Sequence, residues 1–445
     1  MVYPRIGVVF VCRKERPWQL AQGFFQRFLQ SMRNAGLQII GGEEPAFEEN
    51  DAIAQARGLE QQGVDCVCYA IGTWIHSEQV VSAALQVRLP TIVMAFRSGR
   101  IGSLVGSAVA RGSLDEVGIP HLYTYYVEGS TDLFDEIKVF SRAAAVMNEL
   151  RGKRFGLFGG RSMGMYTATA DPSQVKKLFG VEIEHVDQYL VIYEAEKIPD
   201  TEANLVLGQM KEKFGEVASP EEGLRRSIKL YLALKKVINE KKLDFIGVKC
   251  PPEVLSLYTS YCVAVAFLNN EGIMTACECD INGAITMEIL HELANGPAYF
   301  GDVLDIDYET RILTAANCGS TATDLAKTPK EVRWLSHPED IARAFREGIP
   351  CVQFVCRPGE VTCARLSRIE GKYCMLIFRG QTVEGTEEDM RRTVFEYPHA
   401  FIRMDCDPRS LVQQVRSNHI HFAYGDHRKE LVCLCKMLGV EPISI

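Results

Sequence analysis

RFGLFGGRSMGM, Arg154–Met165, is an apolar strand-like run that breaks into a glycine-rich turn, and it marks the place where an α/β pattern starts a second time. Upstream of it, short β-branched runs recur at Ile6–Val11, Gln38–Ile40, Cys66–Ile71, Thr91–Phe96 and His121–Val127, with helical patterns between them. The first of those helices is well punctuated: Pro17 suits an opening turn, Phe24, Phe25, Phe28, Leu29 and Met32 form a stripe, and Gly36 can end it. Strands about 25 to 30 residues apart with helices between them predict βαβ units and a parallel sheet. Downstream, strands are expected at Val181–Val186, Asp244–Val248 and Ile273–Glu278. Helices are expected over Glu222–Asn239, Glu253–Leu268 and Gly283–Leu293, and Lys197–Pro220 reads as polar and strand-poor.

After about residue 305 the spacing changes. Ile312–Ala316, Cys351–Val355, Val361–Arg368, Tyr373–Phe378 and Ala400–Met404 follow one another with few helical stripes between them, which reads as antiparallel and barrel-like. Helices over Leu411–Val415 and Lys429–Leu438 flank SNHIHFAYGDH, Ser417–His427. The expected architecture is α/β: two Rossmann-like parallel domains, 1–145 and 146–305, then a β-rich domain, 306–445. A chain of 445 residues is long enough for two or three cores.

Hydrophobic residues at 47% and charged residues at 24% describe a folded chain rather than a disordered or fibrous one. A formal net charge of -8 offers no general positive field for phosphate backbones, so nucleic acid is not expected as a partner. At the N-terminus Arg13, Lys14 and Arg16 follow the apolar run Ile6–Val11, the reverse of a secretion signal, and no apolar stretch approaches the roughly 20 residues of a membrane span. A soluble, cytoplasmic protein is expected. The 15 cysteines, an odd number spread along the chain, read as reduced thiols. The C-x-C pairs Cys66/Cys68, Cys277/Cys279 and Cys433/Cys435 read as small buried side chains, since the C-x-x-C spacing of zinc sites is absent.

Chemistry concentrates in TACECDING, Thr275–Gly283, and NGPAYFGDV, Asn295–Val303. Each sets a carboxylate, Glu278 or Asp302, where an apolar strand is expected to give way to a loop. Ligands of parallel sheets bind outside the carboxyl ends of strands, so the two acids can share one crevice. Such a pair is a proton-sharing dyad, a hard-cation site, or two carboxylates that only cap helices. His419, beside Asn418 and near His421 and His427, supplies a third element, because imidazole with two carboxylates suits Mn, Fe or Co and leaves positions open for substrate oxygens.

Five segments in order are similar to the L-fucose isomerase family, over most of residues 140–427. RGKRFGLFGGRSMGM with LFGVEIEHVD resembles the opening of that family's second domain. TACECDING resembles its A-T-E-N-D-x-x-N-G, FGDV its F-A-D-V, ANCGSTATD its N-S-G-S-A-A-x-D, and SNHIHFAYGDH its A-N-H-x-x-x-x-x-G-H. The resemblance implies an aldose–ketose isomerase working through an ene-diol. It implies that Glu278, Asp302 and His419 hold Mn²⁺, with Co²⁺ or Fe²⁺ as alternatives, and that Glu278 and Asp302 serve as the acid/base pair. Asn418 and Cys318 would lie against the sugar. It also implies a homo-oligomer, trimer or hexamer, with sites near subunit interfaces.

The chain departs from the family at VKCPPEV, Val248–Val254, which replaces a glutamine-containing segment and sets Lys249 at a strand end. Arg13, Arg16, Arg97 and Arg100 also follow strands, and Trp74 and His76 lie in GTWIHSE, Gly72–Glu78. Cations gathered at such positions would suit a sugar with an anionic group at C6, such as 6-deoxy-6-sulfo glucose (sulfoquinovose), as an alternative to a neutral 6-deoxy sugar such as L-fucose. Two other readings of the α/β pattern are a cytoplasmic sugar sensor and an NAD(P)-dependent dehydrogenase. The turn Gly159, Gly160, Gly164 has the spacing G-G-x-x-x-G rather than the dinucleotide fingerprint.

Overall fold

A computed structural model describes residues 3–445. The α/β class expected from the sequence is what the chain adopts, with two parallel sheets and a closed antiparallel barrel. The described chain divides into two compact units: one of residues 3–149 with Lys429–Leu438, the other of Leu150–Arg428 with Gly439–Ile445.

The N-terminal unit is built on β1 (Arg5–Val11), β2 (Gln38–Ala46), β3 (Cys66–Ile71), β4 (Thr91–Phe96) and β5 (His121–Tyr126), all parallel in the order β2-β1-β3-β4-β5. Every residue of β3 and β4 is buried, and alternate side chains feed two cores. Cys66, Cys68 and Ala70 face one core with Phe25 and Phe28, while Val67, Tyr69 and Ile71 face the other. Cys433 and Met437, from the helix Arg428–Leu438 near the end of the chain, pack on the first core.

In the larger unit come β6 (Arg154–Phe158), β7 (Glu182–Val186), β8 (Glu216–Val217), β9 (Phe245–Val248) and β10 (Thr275–Cys277). Four of these form a parallel sheet in the order β10-β9-β6-β7. Then follow β11 (Tyr299–Ile306), β12 (Ile312–Ala316), β13 (Arg333–Ser336), β14 (Pro350–Gln353), β15 (Gly359–Ile369), β16 (Lys372–Val383), β17 (His399–Met404), β18 (His419–Tyr424) and β19 (Glu441–Ser444). The order β15-β18-β11-β12-β17-β16, with β15 also paired to β16, closes a six-stranded antiparallel barrel, and β19 adds to β16 in parallel. Closure removes the free edges that an open sheet would leave. Within it Tyr299, Leu313, Phe378, Ile402, Ile420 and Phe422 share a core with Trp334 and Val263.

Several expectations need correction. Asp302 does not end a strand of the second sheet; it lies inside barrel strand β11, opposite His419 of β18. SNHIHFAYGDH, for which no element is expected between its flanking helices, supplies β18, whose alternation puts Ile420 and Phe422 in the core. Cys351–Val355 contributes β14 to a separate small sheet with β13 and β8. Lys197–Pro220 contains the helix Asp200–Lys213, which buries Ala203, Leu207 and Met210. The expected helix Glu253–Leu268 is two, Glu253–Leu257 and Cys262–Asn270, because Ser260 between them donates to the Pro350 carbonyl and its own carbonyl accepts from Ser227. Among the described residues no helix is long and apolar enough to cross a membrane.

Candidate active site

The turn Glu278–Asp280 links β10 to the helix Ile281–Ala294. Glu278 and Cys279 stand at φ +59° and +53°. Two successive non-glycine residues in the left-handed region cost about 1–2 kcal/mol each and persist only where the surroundings impose them. Here the Cys279 amide donates to the Val248 carbonyl and its thiol to the Phe158 carbonyl (3.1 Å), which ties the turn to β9 and β6. Asp280 caps the helix, its Oδ1 accepting from the Gly283 amide at 2.9 Å. The helix-capping role weighed for Glu278 belongs to Asp280 instead.

The turn leaves Glu278 buried, with Oε2 3.2 Å from His419 Nε2. Asp302 arrives from the neighbouring barrel strand, with Oδ1 3.6 Å from the same nitrogen. The structure thus brings together the three residues singled out for a cation. Asn418 Nδ2 donates to Asp302 Oδ1 at 2.8 Å.

Sequence reasoning missed what holds His419 in place. Asp280 Oδ2 accepts from His419 Nδ1 at 2.7 Å, and both Asp280 oxygens pair with the guanidinium of Arg365 on β15. Arg365 also contacts His421 Nε2 (3.1 Å) and donates to the Thr167 carbonyl (3.2 Å). The helix passes so close that a Cβ on Gly283 would sit 2.7 Å from Asp280 Oδ2. Asn282 donates to the carbonyls of Thr167 and Thr169, so the chain that follows the glycine-rich turn Gly159–Met165 is bound to this cluster. Asp280 was legible as a helix cap, since an aspartate precedes the helical run, whereas nothing local marks Arg365.

Charge at the site follows from this network. Burial works to raise the Asp280 carboxyl, but Arg365 and His419 hold it well below the usual carboxylate range. Burial works to lower His419, but Asp280 on Nδ1 and the adjoining Glu278 outweigh it and raise the imidazole to about 10. Burial raises Asp302, with His419 opposing. His421, buried beside Arg365, is pushed down and stays neutral. His427 is also buried, with its ring against the Tyr424 carbonyl at 3.0 Å.

The donor set fits a divalent cation. Buried His419 Nε2 and Glu278 Oε2 face each other, yet neither has a hydrogen-bond partner. Ligand atoms about 2.1 Å from one ion and at right angles stand about 3.0 Å apart, close to the separation found. With Nδ1 engaged by Asp280, Nε2 is the nitrogen aimed at the carboxylates, and on losing its proton it would offer a lone pair to a cation, the arrangement typical of metal-bound histidine.

Beside Glu278 lies a cavity of about 150 Å³ whose walls include Pro251, Leu255, Tyr261, Cys318, Phe345 and Tyr397. Cys318, after β12, stands with its sulfur 3.9 Å from that of Cys277. Lys249, at the end of β9, is paired with Glu253 at 2.8 Å. In the N-terminal unit Arg13 pairs with Glu15 and Glu48, the Arg16 guanidinium lies over the Trp74 ring at 5.3 Å, Trp74 meets His76 edge-on, and the Arg97 amide donates to the Tyr126 carbonyl. Arg13 and Arg16 follow β1, Trp74 and His76 follow β3, and Arg97 follows β4.

Fold and site together define an α/β protein in which the end of a parallel sheet and two strands of a closed barrel deliver two carboxylates to one imidazole. Residues 315–445 match the family described as L-fucose isomerase, C-terminal domain. The sulfoquinovose isomerase of Priestia megaterium is 24% identical over 441 residues, 96% of each chain. A sulfoquinovose isomerase of a Clostridium species is 26% identical over 347 residues, 77% of this chain and 76% of that one. The L-fucose isomerase of Phocaeicola vulgatus is 22% identical over 217 residues, 44% of this chain and 36% of that one. Residues 315–445 thus resemble the C-terminal domain of L-fucose isomerases, and the chain along its length is similar to sulfoquinovose isomerases.

Proposed function

We propose that this protein is an aldose–ketose isomerase that uses one divalent cation, Mn²⁺ or in its place Co²⁺ or Fe²⁺, to move a proton between C1 and C2 of a sugar through an ene-diol. The observation that carries the reading is the convergence of Glu278 and Asp302 on His419 Nε2, within 3.6 Å, with buried donor atoms left unpaired. Glu278, Asp302 and His419 would hold the cation. When bound, it supplies positive charge beside the two sugar oxygens between which the carbonyl migrates.

The chain's own groups do the rest. Glu278 and Asp302 form the acid/base pair, one accepting the proton from the carbon beside the carbonyl and the pair returning it to the neighbouring carbon. Burial equips Asp302 to carry a proton nearer neutral pH than an exposed aspartate does, and Asn418 holds its Oδ1 in place. Asp280 and Arg365 fix the imidazole. Asn418 and Cys318 border the sugar, and the apolar cavity walls exclude water from the reacting carbons.

The relatives that align along nearly the whole chain are named sulfoquinovose isomerase, which supports a 6-sulfo aldohexose as substrate, with a 6-deoxy sugar such as L-fucose second. Lys249, Arg13, Arg16, Trp74 and Arg97 are the proposed partners of its far end, those of the N-terminal unit reaching a neighbouring copy's site in a homotrimer or homohexamer. A cytoplasmic setting fits such an enzyme. The test is incubation with 6-sulfo and 6-deoxy aldohexoses in heavy water, read by NMR and mass spectrometry. Deuterium at the exchanging carbon and ketose formation are expected, with the sulfo sugar preferred. No exchange with any sugar contradicts the isomerase reading, and preference for the neutral sugars contradicts the substrate.

A further inference from the structure

Glu278 has two cysteine neighbours whose thiol chemistry the proposed reaction does not use. Cys277 and Cys318, both lining the adjoining cavity, have sulfurs 3.9 Å apart. Their sulfurs and a carboxylate oxygen of Glu278 all lie within 4.8 Å of one another. Two thiolates bound to one tetrahedral ion at about 2.3 Å stand about 3.8 Å apart. The pair is therefore already at ligand spacing without any movement of the backbone. Cys277 is set by β10, and the chain at Cys318 is held by the Cys262 thiol, which donates to the Cys318 carbonyl at 3.6 Å. All three donors line the cavity, which leaves the fourth position of a tetrahedron open to a solvent molecule or a small ligand.

We propose that Cys277, Cys318 and Glu278 form a second cation site, selective for a thiophilic divalent ion such as Zn²⁺ or Cd²⁺, and that its occupation excludes the hard cation of the neighbouring site because Glu278 belongs to both. Thiolates select soft ions, and oxygen with imidazole accommodates Mn²⁺, so the two ions compete through one shared carboxylate rather than for one set of ligands. Binding forms two S–metal bonds and releases both thiol protons to water; no redox change occurs. The Cys277–Cys318–Glu278 site stands on its own geometry; its competition with the hard cation, and inhibition of turnover by thiophilic ions, rest on the reading of the proposed function.

The experiment is titration of the metal-stripped full-length protein with Cd²⁺, followed by the ultraviolet thiolate-to-cadmium charge-transfer band. One equivalent is expected to generate the band, saturating Mn²⁺ is expected to raise the midpoint at least tenfold, and Cys277→Ser and Cys318→Ser are each expected to weaken binding at least tenfold. An undiminished band in both variants overturns the site, and a midpoint indifferent to Mn²⁺ in protein shown by calorimetry to bind Mn²⁺ overturns the competition. If either variant does not fold, mass-spectrometric mapping of maleimide labelling on the native chain replaces it: Cd²⁺ must protect both Cys277 and Cys318, and protection of neither overturns the site. These readouts need no turnover, so absence of isomerase activity leaves them intact and tells against the other reading alone.

Discussion

Asp280 serves three neighbours at once: the helix start through Gly283, the imidazole of His419, and the guanidinium of Arg365. Asp280→Asn keeps the cap but gives up the charge that orients Nδ1–H, and cation affinity is expected to fall about 10- to 100-fold with the fold intact. Isothermal titration with Mn²⁺ checks this. Glu278→Gln is expected to fold and to lose about 10²- to 10⁴-fold in turnover, the usual contribution of a positioned acid or base; a rate near that of the parent protein removes Glu278 from the chemistry. The sign of the pH dependence follows from His419. Its imidazole titrates near 10 when the site is empty and must be neutral to bind a cation, so below that pH each binding event releases a proton. Affinity should therefore rise about tenfold per pH unit between pH 6 and 8, and calorimetry in buffers of different ionisation enthalpy should count at least one proton released.

At the scale of elements, the helix Ile281–Ala294 carries a buried ion pair at its far side, where Lys153 meets Glu288 and Glu292. Burial raises the Glu288 carboxyl while Lys153 opposes the rise. Lys153→Met leaves Glu288 without its cation and should cost about 3–5 kcal/mol in urea unfolding, whereas the same change at exposed Lys327 should cost less than about 1 kcal/mol. The parallel sheets are readable in the sequence because fully buried strands form continuous apolar runs such as CVCYAI and TIVMAF. The barrel is readable only in part. FGDV and HIHFAY give no plain strand signal because each combines polar, ligand-bearing positions with core positions, yet the alternation of His419 and His421 with Ile420 and Phe422 is the period-2 signature of a half-polar strand. Likewise Ala203, Leu207 and Met210 recur at helical spacing inside a stretch that its charges make look irregular.

For the molecule as a whole, the site depends on pairings distant in sequence. Asp302 and His419 are register partners on strands far apart along the chain, and Arg365 reaches Asp280 from yet another barrel strand. Three donors could be singled out from the sequence because carboxylates and histidines in ordered segments are conspicuous. The arginine and the thiol pair could not, because only barrel closure sets Arg365 beside Asp280, and only the loop after β12 sets Cys318 beside Cys277. A cation that binds the folded chain alone stabilises it by about 2.7 kcal/mol at a hundred times its Kd, so Mn²⁺ should raise Tm and a chelator should reverse the rise, with no such shift in His419→Ala.

The most direct test is a crystal grown with saturating Mn²⁺ and measured at the manganese absorption edge. The account predicts one anomalous peak per chain, coordinated by Glu278, Asp302 and His419 Nε2. A strong peak elsewhere, or none within reach of these three side chains, contradicts it.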